Sequence, residues 1–311
     1  MSERNLRKHN ILVVGSSNTD MVIKTNHLPR PGETVLGGTF FMNPGGKGAN
    51  QAVAIARLGG EVSFICKTGS DIFGHQSQQL FEEEGIDTSY IFSDSKNPSG
   101  VALITVDAHA ENCIVVASGA NANLLPTDLA KAEEAIEQAE LILMQLEIPM
   151  DTVEFVAKTA WEKNKLVILN PAPAQPLSAA LLRHLYMITP NETEAEMISG
   201  VKITDDESLY RAAQALIDQG VGRVFLSLGE GGVLAVQPGE VQRVPICKAE
   251  MRNATGAGDA MMASLVWSFL AGRTLAQSAA AGTAAAAIAV ESEETINPAM
   301  SAEAVESRLA H

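Results

Sequence analysis

The 311-residue chain is short of cysteine, of aromatic side chains and of long hydrophobic runs. Its three cysteines, Cys66, Cys113 and Cys247, lie far apart and form no CxxC pair, which argues against a disulfide framework or a zinc ribbon. Each stands in an apolar stretch and is expected to be a small buried hydrophobe. The longest apolar run, Ala279–Val290, is mostly alanine and only twelve residues long, too short to span a bilayer, and reads as a buried helix. The first ten residues are polar and mixed in charge, without the apolar core of a signal peptide, so a cytoplasmic location is expected. Basic charge is also scarce: 22 Lys and Arg stand against 37 Asp and Glu, a formal net charge of −15. That balance disfavours nucleic acid and anionic membranes as partners, since both want a basic face. It leaves room for an anionic ligand at a local site. Several catalytic signatures are missing too. There is no G-x-x-x-x-G-K-[ST] loop, Gly15-Ser-Ser-Asn is not G-x-G-x-x-G, and the histidines show no H-E-x-x-H spacing. No G-x-S-x-G elbow occurs.

What is present is a globular pattern, 46% apolar and 19% charged. Apolar runs at 11–15, 61–66, 141–145, 166–169, 185–188 and 223–228 read as buried strands. Helical spacing falls at 48–58, 73–84, 127–139, 151–163, 178–183 and 206–219, then from Gly256, through the alanine-rich run and from Ser301. A second hairpin is expected through 232–244. Strand–helix alternation of this kind predicts an α/β three-layer sandwich, a mostly parallel sheet with helices on both faces. Two β-rich stretches, about 18–42 and 99–117, break the alternation and predict a small separate β-sheet, the second as a hairpin. No linker or repeat divides 1–311, which reads as one unit carrying that small sheet.

Five polar or glycine-rich stretches follow predicted strands. Thr255-Gly-Ala-Gly-Asp259 opens an apolar helix, leaving bare N–H groups at its mouth, an arrangement that binds anions. An acid beside a bound anion repels it, so Asp259 is best explained as a base acting on a hydroxyl that attacks the anion. The same residues also fit an ordinary glycine loop with a first-turn acid. Asn43-Pro-Gly-Gly-Lys-Gly-Ala-Asn50 opens another helix, with Lys47 and Asn50 on one face. Asn18-Thr-Asp20 follows the first strand, where ligands of open α/β sheets bind, although both types also form turns. Pro190-Asn-Glu-Thr-Glu194 fits a capping box with Asn191 as N-cap, and equally a place for phosphate and Mg²⁺. Ser227-Leu-Gly-Glu-Gly-Gly232 is a strand-to-turn loop that could floor a nucleotide pocket. Each alone is weak, and their shared position on one sheet edge is the signal.

Taken together, these stretches resemble the ribokinase-like family of carbohydrate kinases, from about Ile11 to Val290. Gln145-Leu-Glu147, Asn170-Pro-Ala-Pro-Ala174 and Thr189-Pro-Asn-Glu-Thr-Glu-Ala-Glu196 add to the resemblance. It implies ATP-dependent phosphorylation of a terminal sugar hydroxyl, with D-ribose O5 favoured. It also implies Asp259 as base and the N–H groups of Gly256, Ala257 and Gly258 as an anion hole. Sugar contacts would come from Asn18, Asp20, Gly46, Lys47, Asn50 and Glu147. Asn191 would meet the phosphates, Glu194 would hold Mg²⁺ through water, and Ser227, Gly229, Gly232 and Thr283 would line the nucleotide site. The small sheet becomes a lid, and a homodimer through it is expected. Two departures stand out. Asn253 and Ala254 replace the Asp and Thr of typical members, which weakens a monovalent-cation site. The segments 253–262 and 295–298 look more like pseudouridine kinases of the same family. Other substrates left open are 2-deoxyribose, another furanose and pseudouridine. A non-catalytic sugar- or nucleotide-binding regulator is the alternative of a different class.

Overall fold

The computed structural model describes residues 10–109 and 111–310. The first nine residues, read above as carrying no signal peptide, lie outside that description. In chain order, β1 (Asn10–Val14) leads to β2 (Asn18–Lys24), β3 (Thr39–Gly45), α1 (Lys47–Arg57), β4 (Glu61–Gly69), α2 (Ile72–Glu83) and β5 (Ile91–Asp94). Then come β6 (Gly100–Val106), β7 (Asn112–Ala117), α3 (Pro126–Leu129), α4 (Glu133–Gln138), β8 (Leu141–Met144), α5 (Met150–Glu162) and β9 (Leu166–Leu169). They are followed by α6 (Ala179–His184), β10 (Met187–Ile188), α7 (Glu192–Ser199), α8 (Asp206–Asp218), β11 (Arg223–Ser227), β12 (Val233–Gln237) and β13 (Glu240–Val244). The last described elements are α9 (Ala257–Leu270), α10 (Leu275–Val290) and α11 (Ala302–Leu309).

The nine-stranded sheet runs β13-β12-β11-β10-β9-β8-β1-β4-β5. It is parallel from β11 to β5, and β12 and β13 pair antiparallel at one edge. Period-2 alternation sorts its side chains into two cores. Ile11, Val13, Phe64, Leu141, Leu143, Ile168 and Phe225 pack on one face, against α1, α9 and α10. Leu12, Val14, Ile65, Ile142, Met144, Val167 and Leu226 pack on the other, against α5, α6 and α8. Burial on both faces is why these strands read as unbroken apolar runs rather than alternating ones. The chain order reverses between β1 and β8, which opens a crevice at the carboxyl ends of those strands.

The second sheet has the order β3-β2-β6-β7, with β2 and β6 parallel and the outer pairs antiparallel. Asn18, Asp20 and Val22 share one face with Ala102, Ile104, Ile114 and Val116, as the register requires. The opposite face carries Ile23, Phe40, Met42, Leu103 and Val115, all exposed.

Several expectations are corrected. The single helix at 127–139 is two short helices, because a tight 3₁₀ turn at 130–132 separates α3 from α4. The stretch 18–42 holds the short strands expected, β2 and the start of β3, but a long loop separates them and β3 runs on to Gly45. Pro29, Pro31 and the positive-φ glycines Gly32, Gly37 and Gly38 keep the intervening backbone out of a ladder. The edge strand β5 was not foreseen, and the strand at 185–188 shrinks to two residues. Cys66 is buried, but Cys247 is half-buried and Cys113 is exposed, because β7 turns its outer face to solvent.

Candidate active site

The predicted site residues converge at the carboxyl edge of the main sheet, beneath the second sheet. A cavity of about 390 Å³ is lined by Asn18, Asp20, Gly46, Lys47, Asn50, Glu147, Asn191, Glu194, Gly256, Gly258 and Asp259. Ala102, Ile104, Ile114 and Val116 of the second sheet form its apolar wall, which sequence reasoning did not single out. A neighbouring cavity of about 370 Å³ is mostly apolar, and Ser227, Gly229, Gly232, Ala257, Gly258 and Thr283 line it. The two share Ser227, Ala254, Gly258 and Met261, so the mouth of α9 is their common boundary. The Thr283 hydroxyl donates to Ala280 O at 2.9 Å, inside its own helix.

Local chemistry explains how each side chain is presented. Among the described residues, six helices carry a side-chain N-cap, from Asp71, Ser178, Asn191, Asp205, Thr274 and Ser301. α9 instead starts at Gly256, with φ 84° and no side-chain cap. That φ belongs to the left-handed region, and a Cβ there would lie 2.2 Å from Thr295 O, so glycine is required. The first-turn N–H groups of α9 thus have no side-chain cap, Ala257 N making only a long bond to Ala254 O at 3.4 Å, and the positive end of the helix dipole lies behind them. Asp259, in that first turn, is 7% exposed. Its Oδ2 accepts from Asn50 Nδ2 at 3.0 Å and its Oδ1 from Gln51 Nε2 at 2.8 Å.

Across the crevice between β1 and β8, Glu147 accepts from Ser16 Oγ and, at 2.9 Å, from the Lys47 backbone N–H. Asn18 Oδ1 accepts from Asn121 Nδ2 at 2.8 Å, which orients the Asn18 amide. Asp20 is also 7% exposed. Gly45 leaves room for its carboxylate: a Cβ on Gly45 would lie 2.1 Å from Asp20 Oδ1. Burial pushes the Asp20 carboxyl from 3.8 up to about 6, and the charges of Glu147 and Asp259 add to the effect. The capping box forms as predicted, with Glu194 N donating to Asn191 Oδ1 at 2.8 Å and Asn191 N to Glu194 Oε2 at 2.9 Å. Burial raises the Glu194 carboxyl, opposed by the Asn191 N–H and the Lys47 charge.

All the predicted positions therefore line one or both cavities. Gln51 and Gln145, buried behind the wall, were not identified as functional. The available signal was a glutamine within the buried alanine stripe of α1, where packing alone would favour an apolar residue.

A family model described as pfkB family carbohydrate kinase matches residues 8–302. Ribokinase of Haemophilus influenzae is 41% identical over 280 residues, covering 90% of this chain and 92% of that protein. Deoxyribokinase of Salmonella typhi is 36% identical over 253 residues, covering 81% and 83%. The structure of Arabidopsis thaliana ribokinase complexed with ribose and ATP matches with a TM-score of 0.90 at 28% identity, covering 97% of this chain and 99% of that one. The similarity runs through the sheet edge, both cavities and the second sheet alike, and this chain belongs to the pfkB family of carbohydrate kinases, which makes it an ATP-dependent sugar kinase.

Proposed function

We propose that the chain transfers the γ-phosphoryl group of ATP to the O5 hydroxyl of D-ribose, giving ribose 5-phosphate. The observation that carries this reading is Asp259 in the wall of the polar cavity, in the first turn of the helix whose mouth borders the apolar cavity. A sugar in the first cavity presents its terminal hydroxyl to the Asp259 carboxylate, which takes the proton. The freed oxygen forms the new O–P bond as the bond to the ADP oxygen breaks. N–H groups of Gly256, Ala257 and Gly258 meet the charge of the group in flight. Asn18, Asp20, Asn50, Lys47 and Glu147 give the sugar hydroxyls polar partners, which matters because each one left unpaired costs affinity. The apolar cavity suits a nucleobase, with Thr283 on its wall and the Ser227–Gly232 loop as its floor. The second sheet acts as a lid, excluding water that would otherwise accept the phosphoryl group.

Magnesium fits here as a hydrated ion brought by the nucleotide. Among the described residues no cluster of three acidic, His or Cys side chains could grip a metal directly. Glu194, with one oxygen on the Asn191 N–H, can hold such an ion through water, with Asn191 beside it. When bound, the ion neutralises phosphate charge.

A monovalent cation finds a poor site at Asn253. Its Nδ2 donates to Glu293 O at 3.1 Å and its Oδ1 accepts from Thr255 N at 3.0 Å. An amide N–H thus occupies a carbonyl that a cation would need, and no carboxylate stands at that position. The exposed outer face of the second sheet supports a homodimer. Phe40, Leu103 and Val115 are 57%, 55% and 62% exposed there, and a second copy of the sheet would cover them.

Product formation from ATP with ribose, 2-deoxyribose, a further furanose and pseudouridine tests the proposal. Ribose is expected to give the highest kcat/KM. Equal efficiency on 2-deoxyribose, or preference for pseudouridine, refutes the substrate assignment. Absence of turnover on every sugar favours a non-catalytic binding protein instead.

A further inference from the structure

The proposed base is held from behind as well as from within the cavity. Gln145 follows β8, Asn170 follows β9, Thr189 follows β10, and Gln51 reaches toward them from α1. Gln51 and Gln145 are 0% exposed, and neither lines the polar cavity. Gln145 Nε2 donates to Gln51 Oε1 at 2.6 Å. Gln51 Nε2 donates to Asp259 Oδ1 at 2.8 Å and to Asn170 Oδ1 at 3.2 Å. Asn170 Nδ2 donates to Thr189 O at 3.2 Å and approaches Thr189 Oγ1 at 3.4 Å.

This row of amides has one polarity. Thr189 O is a carbonyl and only accepts, so the NH₂ end of Asn170 faces it and Asn170 Oδ1 faces Gln51. Two acceptors, Asn170 Oδ1 and the Asp259 carboxylate, then meet Gln51, whose NH₂ end must face both. Its oxygen is left to face Gln145, which turns its own NH₂ end inward. Reversing Gln51 would place oxygen against oxygen at two contacts, Asp259 Oδ1 and Asn170 Oδ1, and nitrogen against nitrogen at the third, Gln145 Nε2. With Asn50 Nδ2 on Oδ2, both Asp259 oxygens receive a fixed N–H, and the carboxylate plane is set.

The arrangement is unfavourable for packing alone. Gln145 Oε1 is buried without a partner among the described residues. A Cβ on Gly15 would lie 2.1 Å from that same oxygen, so the backbone beside it is kept bare. Buried amides with an unmet acceptor cost stability that a methionine or leucine would not.

We infer that Gln51 is a positioning residue for Asp259, and that Gln145, Asn170 and Thr189 fix the direction in which it donates. The inference rests on the reading of Asp259 as proton acceptor. Gln51 touches no substrate. It holds the carboxylate as an anion in one plane, so that the acceptor sites left over are those a bound hydroxyl reaches from the cavity.

The test is Gln51→Met, which keeps the length and removes both ends of the amide. A misplacement of about 1 Å at a reacting group can cost on the order of 100-fold in rate. The expected result is a fall in kcat of about 10- to 100-fold, with KM and directly measured sugar and ATP affinities within about threefold. The acid limb of the kcat profile moves to higher pH, a shift that a merely structural role would not produce. In an Asp259→Asn background the same change adds no further loss to the residual rate. Unchanged kcat, a loss confined to KM, or an equal fractional loss in the Asp259→Asn background overturns the inference. Should Gln51→Met fail to fold, Gln145→Met decides the matter. It leaves the Gln51–Asp259 bond in place but frees its direction, so a smaller fall in kcat with the same pH shift is expected, and an unchanged profile overturns the relay. Failure of the underlying reading looks different: Asp259→Asn would then keep normal turnover, whatever Gln51 does.

Discussion

Sugar binding should be pH-dependent, because Asp20 holds its proton unusually tightly in the free protein. Burial first, then the charges of Glu147 and Asp259, bring its carboxyl to about 6 from 3.8. In the proposed site, hydroxyls of a bound sugar would donate to this carboxylate, so the sugar would prefer the ionised form. Affinity is therefore full above about pH 6 and falls as pH drops through that value. If sugar hydroxyls restore the ordinary carboxylate range, the difference between about 6 and 3.8 corresponds to roughly 100-fold in affinity. The same shift bears on the fold. A carboxyl raised on folding does not oppose folding below pH 3.8, and its penalty grows until about pH 6, where it is complete. That penalty is on the order of 1–3 kcal/mol at neutral pH. Asp20→Asn should then stabilise the free protein at neutral pH, while weakening ribose binding at least about 10-fold and flattening its pH dependence. Calorimetry from about pH 5 to about pH 7.5, in buffers of different ionisation enthalpy, reads both the affinity and the proton released on binding. Constant affinity over that range, with no proton release near pH 6, would refute the argument.

Asp259→Asn keeps the helix mouth but removes the proton acceptor, so turnover should drop by about 10²- to 10⁴-fold while calorimetry still detects sugar binding. Near-normal turnover would remove Asp259 from the mechanism. Gly45→Ala puts a methyl group where the Asp20 carboxylate lies, and ribose KM should rise at least about tenfold with a smaller change in kcat; an unchanged KM would show that Asp20 does not hold the sugar. Turnover should differ little between K⁺ and a bulky organic cation at matched ionic strength, whereas large saturable K⁺ activation would show that another group replaces the charge missing at Asn253. Sedimentation at micromolar concentration should give twice the 32.9 kDa chain mass, and Phe40→Glu should shift it to one; a wild-type monomer contradicts the dimer.

The layered fold was legible because its strands are buried on both faces and its helices are punctuated by glycine or capped by polar residues. Asn191 and Glu194 show how local that information is: their capping box follows from spacing and forms as read. The break between α3 and α4 was not legible, since 127–139 keeps helical composition through the turn that interrupts it. Likewise the place of Asp259 in the cavity wall could be read from its glycine-rich helix mouth, but its contact with Gln51 could not. Gln51 is itself held by Gln145 and Asn170, which lie 94 and 119 positions away in the chain and meet it through the sheet.

The register of the second sheet sets a lever. Asn18 pairs with both Gly45 and Gly100, so three strands leave the main body along one row. At about 3.3 Å per residue, Asp20 stands roughly 7 Å out from that row and Ile104 roughly 13 Å. Any rotation of the sheet about the row moves Ile104 about twice as far as Asp20. Were the sheet to swing as the proposed lid, the polar residues Asn18 and Asp20 would sit near the pivot, where displacement is smallest and hydrogen-bond lengths change least. The apolar residues Ile104 and Ile114 ride the long arm, where non-directional contact tolerates the larger travel.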